Sequence, residues 1–226
     1  MTRPLVIAHR GASTVEYQNS LAAFRAAVAA GADGIELDVH ATVDGALIVH
    51  HDPDVDGVHI ASATARDVRA GHLPNGETPP TLAEALTAAG ALRVYIEIKT
   101  LPPRWDAELL RAIDEGPNPA GYAVHAFDHR ILQRLGAVRP NLPRGALSAS
   151  YPVRPLMQLQ DTGARTLWQE TSLIDADLTR MMHAADMQVI AWTADAPDEM
   201  KRLISLGIDG ICTNDPQRGR AIVATA

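Results

Sequence analysis

The sequence predicts a single α/β domain over residues 1–226, a (β/α)₈ or TIM barrel with one additional β-hairpin strand. Short apolar, β-branched runs alternate along the chain with helix-like segments, as expected of βα units. Roughly eight such runs remain once one hairpin strand is set aside. A chain of 226 residues is also long enough for an α/β barrel to form one domain.

The first βα unit is predicted from a strand at 5–9 and an alanine-rich helix at 20–30. Asn19 or Ser20 is expected to cap the start of this helix, and Gly31 its end. Further strands are expected near 35–39, 93–99, 122–126, 144–148, 166–169, 188–193 and 207–213, and further helices at 82–89, 106–115, 128–139, 153–163, 175–185, 197–206 and 218–226.

The run at 46–51 differs from the others because only Val43, Asp44 and Gly45 separate it from the preceding strand. So short a link favours an antiparallel hairpin, since a parallel neighbour needs a crossover of about a dozen residues. An open doubly wound sheet is the competing fold. It would need a glycine-rich loop after the first strand, and the segment at 10–13 matches that loop poorly.

Residues 54–80 form the one long stretch without a regular pattern, and we expect them to be a short insertion over the site to which His51 belongs.

The net charge of −7, without a basic cluster, argues against nucleic acid as a partner. No run approaches the roughly 18 apolar residues of a membrane span. The single cysteine, Cys212, is expected to be a buried thiol. With no leader pattern at the N-terminus, a cytoplasmic protein is expected; the sequence does not predict an oligomeric state.

Two carboxylates, Glu36 and Asp38, lie two residues apart in a strand-like run. Side chains at this spacing share one face of a strand, so both point away from the apolar neighbours that pack on the other face. Glu97 ends a later strand, and strand ends converge on one rim of a parallel barrel. Three converging carboxylates are expected to bind one hard divalent cation, although a solvated strand face is the alternative.

Basic and aromatic residues fall on the same predicted rim. Arg10 and Lys99 would bind an anionic oxygen beside the cation. His9 and His51 suit paired acid–base work near neutral pH, because imidazole titrates at about 6.5. Trp192 either fills the barrel end or stacks on a substrate. Together these residues predict cleavage of a phosphodiester.

These residues resemble the glycerophosphodiester phosphodiesterase family, whose opening pattern is H-R-G, a P-E-N-T-like helix entry, E-L-D-V, D-G and H-D. Later family motifs are E-x-K, S-F-D, W-T-x-N and D-G-I-x-T-D-x-P. The matching segments here are His9-Arg10-Gly11, Gln18-Asn19-Ser20, Glu36-Leu37-Asp38-Val39, Asp44-Gly45, His51-Asp52, Glu97-Ile98-Lys99, Phe127-Asp128, Trp192-Thr193 and residues 210–216. Each motif is short, but together they extend from Val6 to about Pro216.

The resemblance implies a barrel hydrolase that releases glycerol 3-phosphate and an alcohol from a small phosphodiester. It further implies that Glu36, Asp38 and Glu97 hold one Ca²⁺ or Mg²⁺ ion and that His9 and His51 are the acid–base pair. A lysophospholipase D type activity and a non-catalytic barrel that binds a phosphorylated ligand are the alternatives.

The chain also departs from the family pattern at several positions. Tyr17-Gln18 replaces Pro-Glu, Ala126 replaces Ser, and Asp195 replaces Asn. The stretch after His51-Asp52 lacks a D-R-T-T-like run. These departures concern the surroundings of the site and the identity of the substrate more than the chemistry.

Overall fold

Eight parallel strands close into a barrel in the computed structural model, which describes residues 3–225. The first strand pairs with both the second and the last barrel strand, which closes the sheet. With all described strands numbered in chain order, the barrel strands are β1 (Leu5–His9), β2 (Gly34–Ala41), β6 (Arg93–Thr100), β7 (Tyr122–Ala126), β8 (Arg144–Ser148), β9 (Thr166–Glu170), β10 (Gln188–Trp192) and β11 (Gly210–Thr213). The predicted (β/α)₈ barrel is therefore confirmed.

The additional hairpin strand is β3 (Leu47–Val49), which pairs antiparallel with β2. The turn between them passes Gly45 at φ +84°, and a Cβ atom there would lie 2.6 Å from the Trp105 ring. The turn therefore requires glycine for its backbone conformation and for its close approach to the ring. The short Asp44-Gly45 link correctly predicted this hairpin.

Helices follow the barrel strands at close to the predicted positions. The one after β1 begins after Ser20, whose hydroxyl accepts a hydrogen bond from the Ala23 amide. It ends at the predicted Gly31, which has φ +71° and donates its amide to the Val28 carbonyl (3.1 Å). In chain order the helices are α1 (Leu21–Ala29), α2 (Ala65–Val68), α3 (Leu82–Ala89), α4 (Asp106–Glu115), α5 (His129–Val138), α6 (Pro155–Thr162), α7 (Ala176–Ala184), α8 (Pro197–Ser205) and α9 (Pro216–Val223).

The inserted segment at 54–80 contains short elements that its sequence did not predict. These are β4 (Asp54–Val55), β5 (Val58–His59), a 3₁₀ turn at Ile60–Ser62 and helix α2. Three of its apolar side chains, Val55, Ile60 and Val68, are buried in a small cluster with Ile48 of β3. Burial of these side chains folds the segment against the hairpin strand.

The segment is also attached to the first helix. The Glu77 carboxylate accepts hydrogen bonds from the amides of Leu21 (2.9 Å) and Ala22 (3.2 Å), which open α1. A carboxylate at a helix N-terminus satisfies amides that lack a partner within the helix and complements the helix dipole.

The outward sides of the strands pack against the helices, whereas a second cluster fills the barrel interior. On β2 the apolar residues Ile35, Leu37 and Val39 belong to the outer core, so Glu36 and Asp38 point inward. The interior cluster consists of Ile7, Tyr95, Leu147, Trp168, Ile190 and Cys212. Burial raises the pKa of the Cys212 thiol, which agrees with an inert thiol. Among residues 3–225, no helix combines the length and apolar character needed to cross a membrane.

Candidate active site

The carboxyl ends of the barrel strands surround a cavity that contains most of the predicted site residues. Its lining consists of His9, Arg10, Glu36, His51, Glu97, Lys99, His125, Phe127, Leu147, Trp168, Trp192, Thr193 and Cys212. Asp38 is not part of this lining but contacts Arg10 and Lys99, which are. All eight residues predicted for the site are thus brought together.

Asp38 is fully buried and is surrounded by donors. Its Oδ2 accepts a hydrogen bond from Asn19 Nδ2 (2.7 Å) and lies 3.1 Å from Arg10 Nε. Its Oδ1 lies 3.1 Å from Lys99 Nζ, but no described group donates to it in hydrogen-bond geometry. Burial alone would raise the pKa of Asp38, yet Lys99, Arg10 and Asn19 hold this pKa below its ordinary value. Asp38 therefore stays ionised, with one oxygen able to accept a further ligand.

Glu97 lies opposite Asp38 in the register of β2 and β6, and its Oε1 is 2.5 Å from Lys99 Nζ. Burial, followed by the charges of Asp38 and Glu36, raises the pKa of Glu97 to about 8. Burial opposes the charge on Lys99, but the two carboxylates outweigh it and raise the pKa of the ammonium. Lys99 and Arg10 together carry two positive charges beside three crowded carboxyl groups, so the site favours a further cation once Glu97 is ionised.

Glu36 connects the rim to the barrel interior. Its Oε2 accepts a hydrogen bond from the Arg10 amide (3.1 Å), and its Oε1 lies 3.6 Å from Nε2 of His125. His125 is buried and stacks on Trp168 with a centroid separation of 4.2 Å. Burial lowers the pKa of His125, which favours the neutral ring. Glu36, Glu97 and His125 each present one donor atom, and these atoms lie within 4.8 Å of one another, close enough to share a metal ion.

Arg10 is held in an unusual conformation at the end of β1. Its backbone has φ +56°, and Gly11 follows at φ +85° with its Cα packed against Ala23, where a Cβ would lie 2.6 Å from the Ala23 carbonyl carbon. Only glycine fits at that position. Arg10 Nη1 donates to Gln18 Oε1 (2.8 Å). Gln18, which replaces the family's glutamate, therefore orients Arg10 without adding a negative charge.

Each of the two predicted acid–base histidines is held through Nδ1. His9 Nδ1 lies 2.8 Å from Asn214 Oδ1, and His51 Nδ1 lies 2.7 Å from Asp52 Oδ1. An oxygen acceptor at Nδ1 places the proton there and leaves Nε2 for proton exchange with a substrate. The backbone of His51 is also supported, because its carbonyl accepts from Nε2 of the buried His40 (3.2 Å).

Two aromatic side chains form one wall of the mouth. Phe127 and Trp192 meet edge to face with a centroid separation of 5.6 Å, and Phe127 is 49% exposed. Trp192 Nε1 is buried without a hydrogen-bond partner among the described residues. A buried indole N–H without a partner is a suitable donor for a bound ligand.

The sequence did not assign site roles to several residues that the structure places there. Asn19 was expected only as a possible helix cap, and His125, Trp168, Asp195 and Asn214 had no assigned role. Asn19, Asp195 and Asn214 lie within or beside polar sequence motifs, which could have indicated a role at the site. No such indication exists in the sequence for His125, because its partner Glu36 lies on β2, which does not adjoin β7.

The fold and this cluster define a (β/α)₈-barrel hydrolase with an acidic and basic site at the carboxyl ends of its strands. The family model described as the glycerophosphoryl diester phosphodiesterase family matches residues 9–218. The chain belongs to this family, whose members hydrolyse glycerophosphodiesters.

Individual relatives agree with this assignment. The chain is 33% identical to a glycerophosphodiester phosphodiesterase of Caldanaerobacter subterraneus subsp. tengcongensis, with 95% of this chain and 96% of the relative covered. It is 32% identical to a probable glycerophosphodiester phosphodiesterase 2 of Mycobacterium tuberculosis, with 93% and 87% covered. A solved glycerophosphodiester phosphodiesterase from Parabacteroides distasonis superposes with a TM-score of 0.90 at 26% identity, over 99% and 98% of the two chains.

Proposed function

We propose that this enzyme cleaves small glycerophosphodiesters to glycerol 3-phosphate and a free alcohol with the help of one divalent cation, Ca²⁺ or Mg²⁺. The observation that carries this proposal is the convergence of Glu36, Asp38 and Glu97 with Arg10 and Lys99 at one barrel mouth, beside two histidines held through Nδ1. Carboxylates suit a hard cation, and the two cationic side chains suit a phosphoryl group.

The residues present fit a divalent cation. Glu36 and Glu97 offer oxygens within 4.8 Å of each other, and Asp38 Oδ1 is buried without a hydrogen-bond donor. We assign these three carboxylates as the ligands, and His125 lies near enough to contribute a nitrogen. When bound, the cation would neutralise charge that develops on the phosphoryl oxygens.

Arg10 and Lys99 orient the phosphodiester in this proposal. Both side chains line the cavity and are already held by Asp38, so their rotamers are restricted before a substrate arrives. Restricted donors lose less entropy when they bind an anion. Trp192 Nε1 and the Trp192 ring would contact the substrate on the side of the glycerol or the alcohol.

His9 and His51 divide the proton transfers. One Nε2 removes a proton from the attacking oxygen, and the other Nε2 donates a proton to the alcohol oxygen as its bond to phosphorus breaks. This pair of groups suits attack by water, which gives glycerol 3-phosphate directly. It equally suits attack by the neighbouring glycerol hydroxyl, which expels the alcohol and leaves a cyclic phosphate that water then opens to glycerol 3-phosphate. Asp52 and Asn214 would keep the two rings in the required tautomer.

Lysophospholipase D activity is the second candidate, and the exposed edge of Phe127 is the observation that favours it. The inserted segment lends it no support, since Val55, Ile60 and Val68 are buried against Ile48 and are not exposed toward a lipid chain. A small polar head group therefore agrees better with the described surface. A position of this segment over the site, and a cytoplasmic location, stay predictions of the sequence.

The test is an assay with glycerophosphocholine, glycerophosphoethanolamine and a lysophospholipid, each in Ca²⁺, Mg²⁺ or chelator. We expect release of glycerol 3-phosphate with a divalent cation, a loss of at least about a hundredfold in His51→Ala, and near-normal rates in the control His59→Ala. His59 is a suitable control because it also pairs through Nδ1 with an aspartate, Asp54, but lies in the inserted segment. Equal rates for wild type and His51→Ala would refute the mechanism, whereas thermal stabilisation by a phosphodiester without turnover would favour the binding protein.

A further inference from the structure

A continuous chain of hydrogen bonds connects Asp195, beyond β10, to His9 at the end of β1. Asn214 lies between them: its Nδ2 donates to Asp195 Oδ2 (2.6 Å), and its Oδ1 lies 2.8 Å from His9 Nδ1. The three residues come from three different strand ends of the barrel. Asp195 itself does not line the cavity.

The donors and acceptors of this chain have one consistent arrangement. An ionised carboxylate only accepts hydrogen bonds, so the NH₂ group of Asn214 must face Asp195 and its oxygen must face His9. An amide oxygen also only accepts, so the proton of a neutral His9 ring must be on Nδ1. Ser13 Oγ lies 2.8 Å from the same Asn214 oxygen and 3.1 Å from the His9 carbonyl, and its one proton is compatible with this orientation.

The orientation of the Asp195 carboxylate is fixed by two further hydrogen bonds. Its Oδ1 accepts from the backbone amide of Asn214 (2.8 Å) and from Thr213 Oγ1 (2.9 Å). Without the carboxylate, the Asn214 side-chain amide could rotate by half a turn and present NH₂ to His9. That orientation would demand the other tautomer, with the proton on Nε2, which is the nitrogen that the substrate needs free.

We propose that Asp195 and Asn214 are positioning residues that set the tautomer and ring orientation of His9. This inference rests on the proposed function of His9 as one of the acid–base groups. It also gives a role to Asp195, which replaces the Asn of the W-T-x-N motif, while Asn214 occupies the Asp position of T-D-x-P. Relative to the family motifs, the carboxylate and the carboxamide have exchanged positions, and the pair Asp195–Asn214 still contains one of each.

The test compares Asp195→Asn, Asn214→Asp and the double variant that carries both substitutions. Asp195→Asn removes the group that orients Asn214, so we expect kcat to fall about 10- to 100-fold with little change in KM. In Asn214→Asp two carboxylates would face each other, and a loss of similar size is expected. The double variant again has one acid and one amide, and we expect it to recover most of the lost rate. Asp128→Asn, at the start of α5, is the control.

The decisive readout is independent of turnover. ¹⁵N–¹H NMR at about pH 8, where ordinary imidazoles are neutral, reports the tautomer of His9, whose signals are those absent from His9→Gln. We expect an Nδ1–H ring in wild type and in the double variant, and a mixture in Asp195→Asn with an unchanged melting temperature. A wild-type tautomer in Asp195→Asn, or an Nε2–H ring in wild type, would overturn the inference. If the tautomers behave as expected but no glycerophosphodiester is cleaved, the positioning role stands and the proposed function fails.

Discussion

Asp38 and Glu97 share a single ammonium group, that of Lys99, although they lie on different strands. Lys99 Nζ is 3.1 Å from Asp38 Oδ1 and 2.5 Å from Glu97 Oε1. Because Asp38 and Glu97 are direct neighbours in the register of β2 and β6, their charges would repel each other without this bridge. Lys99 therefore stabilises the site in addition to its proposed contact with the phosphodiester.

Lys99→Met should lower the stability of the protein, and most strongly in chelator. Removing one partner of a buried ion pair costs about 3 kcal/mol. Asp38 Oδ1 and Glu97 would then have no ammonium beside them, although Arg10 would still contact Asp38 Oδ2. Saturating Ca²⁺ or Mg²⁺ should reduce the loss, since the cation replaces the missing charge. Urea unfolding with and without the metal measures both values.

Lys201→Met is the matched control, because Lys201 is the other lysine of the chain and, within residues 3–225, pairs only with the exposed Asp198. It should change stability by less than about 1 kcal/mol. An equal loss for Lys99→Met with and without metal would contradict the expected compensation.

Metal binding should weaken as the pH falls below about 8, the pKa to which burial and the neighbouring carboxylates raise Glu97. Below this pH the Glu97 carboxyl group holds a proton that a cation must displace, whereas above it the carboxylate binds the cation without losing a proton. The apparent affinity should fall by up to about tenfold for each pH unit below 8, with close to one proton released per ion near pH 7. Calorimetry in buffers of different ionisation enthalpy counts that proton. Glu97→Gln should bind the ion more weakly and lose this proton release; an unchanged release would assign it to another group.

Phe127→Ala should affect recognition of the alcohol more than the chemical step. The exposed ring meets Trp192 at the mouth, where a quaternary ammonium head group can contact aromatic faces. We expect KM for glycerophosphocholine to rise about fivefold, with kcat nearly unchanged, and KM for a diester with an uncharged alcohol to change little. Tyr151→Ala removes an exposed aromatic ring that does not line the cavity and is the control. Equal increases in KM for both substrates would rule out recognition of the cation.

His125→Gln should weaken the cation site. The imidazole Nε2 lies 3.6 Å from Glu36 Oε1 and shares the donor cluster with Glu97. Losing a group beside or in the metal shell lowers affinity by roughly tenfold, which metal titration monitored by tryptophan fluorescence can measure. His125→Phe keeps a ring to stack on Trp168 and should lose the same affinity. Normal affinity in both variants would show that His125 only packs.

The barrel and most of the site could be predicted because their signals are local. The spacing of Glu36 and Asp38 places both on one strand face, and the position of Glu97 at a strand end places it on the same rim. The neighbours of each carboxylate depend on strand register and on which strands face each other across the barrel. Neither quantity is encoded locally, so the contact of His125 with Glu36 and the hydrogen-bond chain from Asp195 to His9 could not be predicted.

Asn19 shows a second limit of prediction. It was a candidate helix cap, but its backbone adopts φ +54° and its side chain donates to Asp38, while Ser20 caps the helix. Polar residues before a helix serve equally well as caps or as ligands of a nearby group. Only the position of the helix relative to β2 distinguishes the two roles.

The bond between Glu77 and the first amides of α1 has a consequence for how this enzyme can diversify. Glu77 lies near the end of the inserted segment and accepts a hydrogen bond from the amide of Leu21, two residues after Asn19. The Asn19 side chain in turn donates to Asp38. A change of length close to Glu77 would therefore shift the start of α1 and Asn19, and with them a carboxylate of the cation site. Natural or engineered exchange of this segment should preserve its final turn with Glu77, and variation in length is best tolerated earlier, around the β4–β5 hairpin.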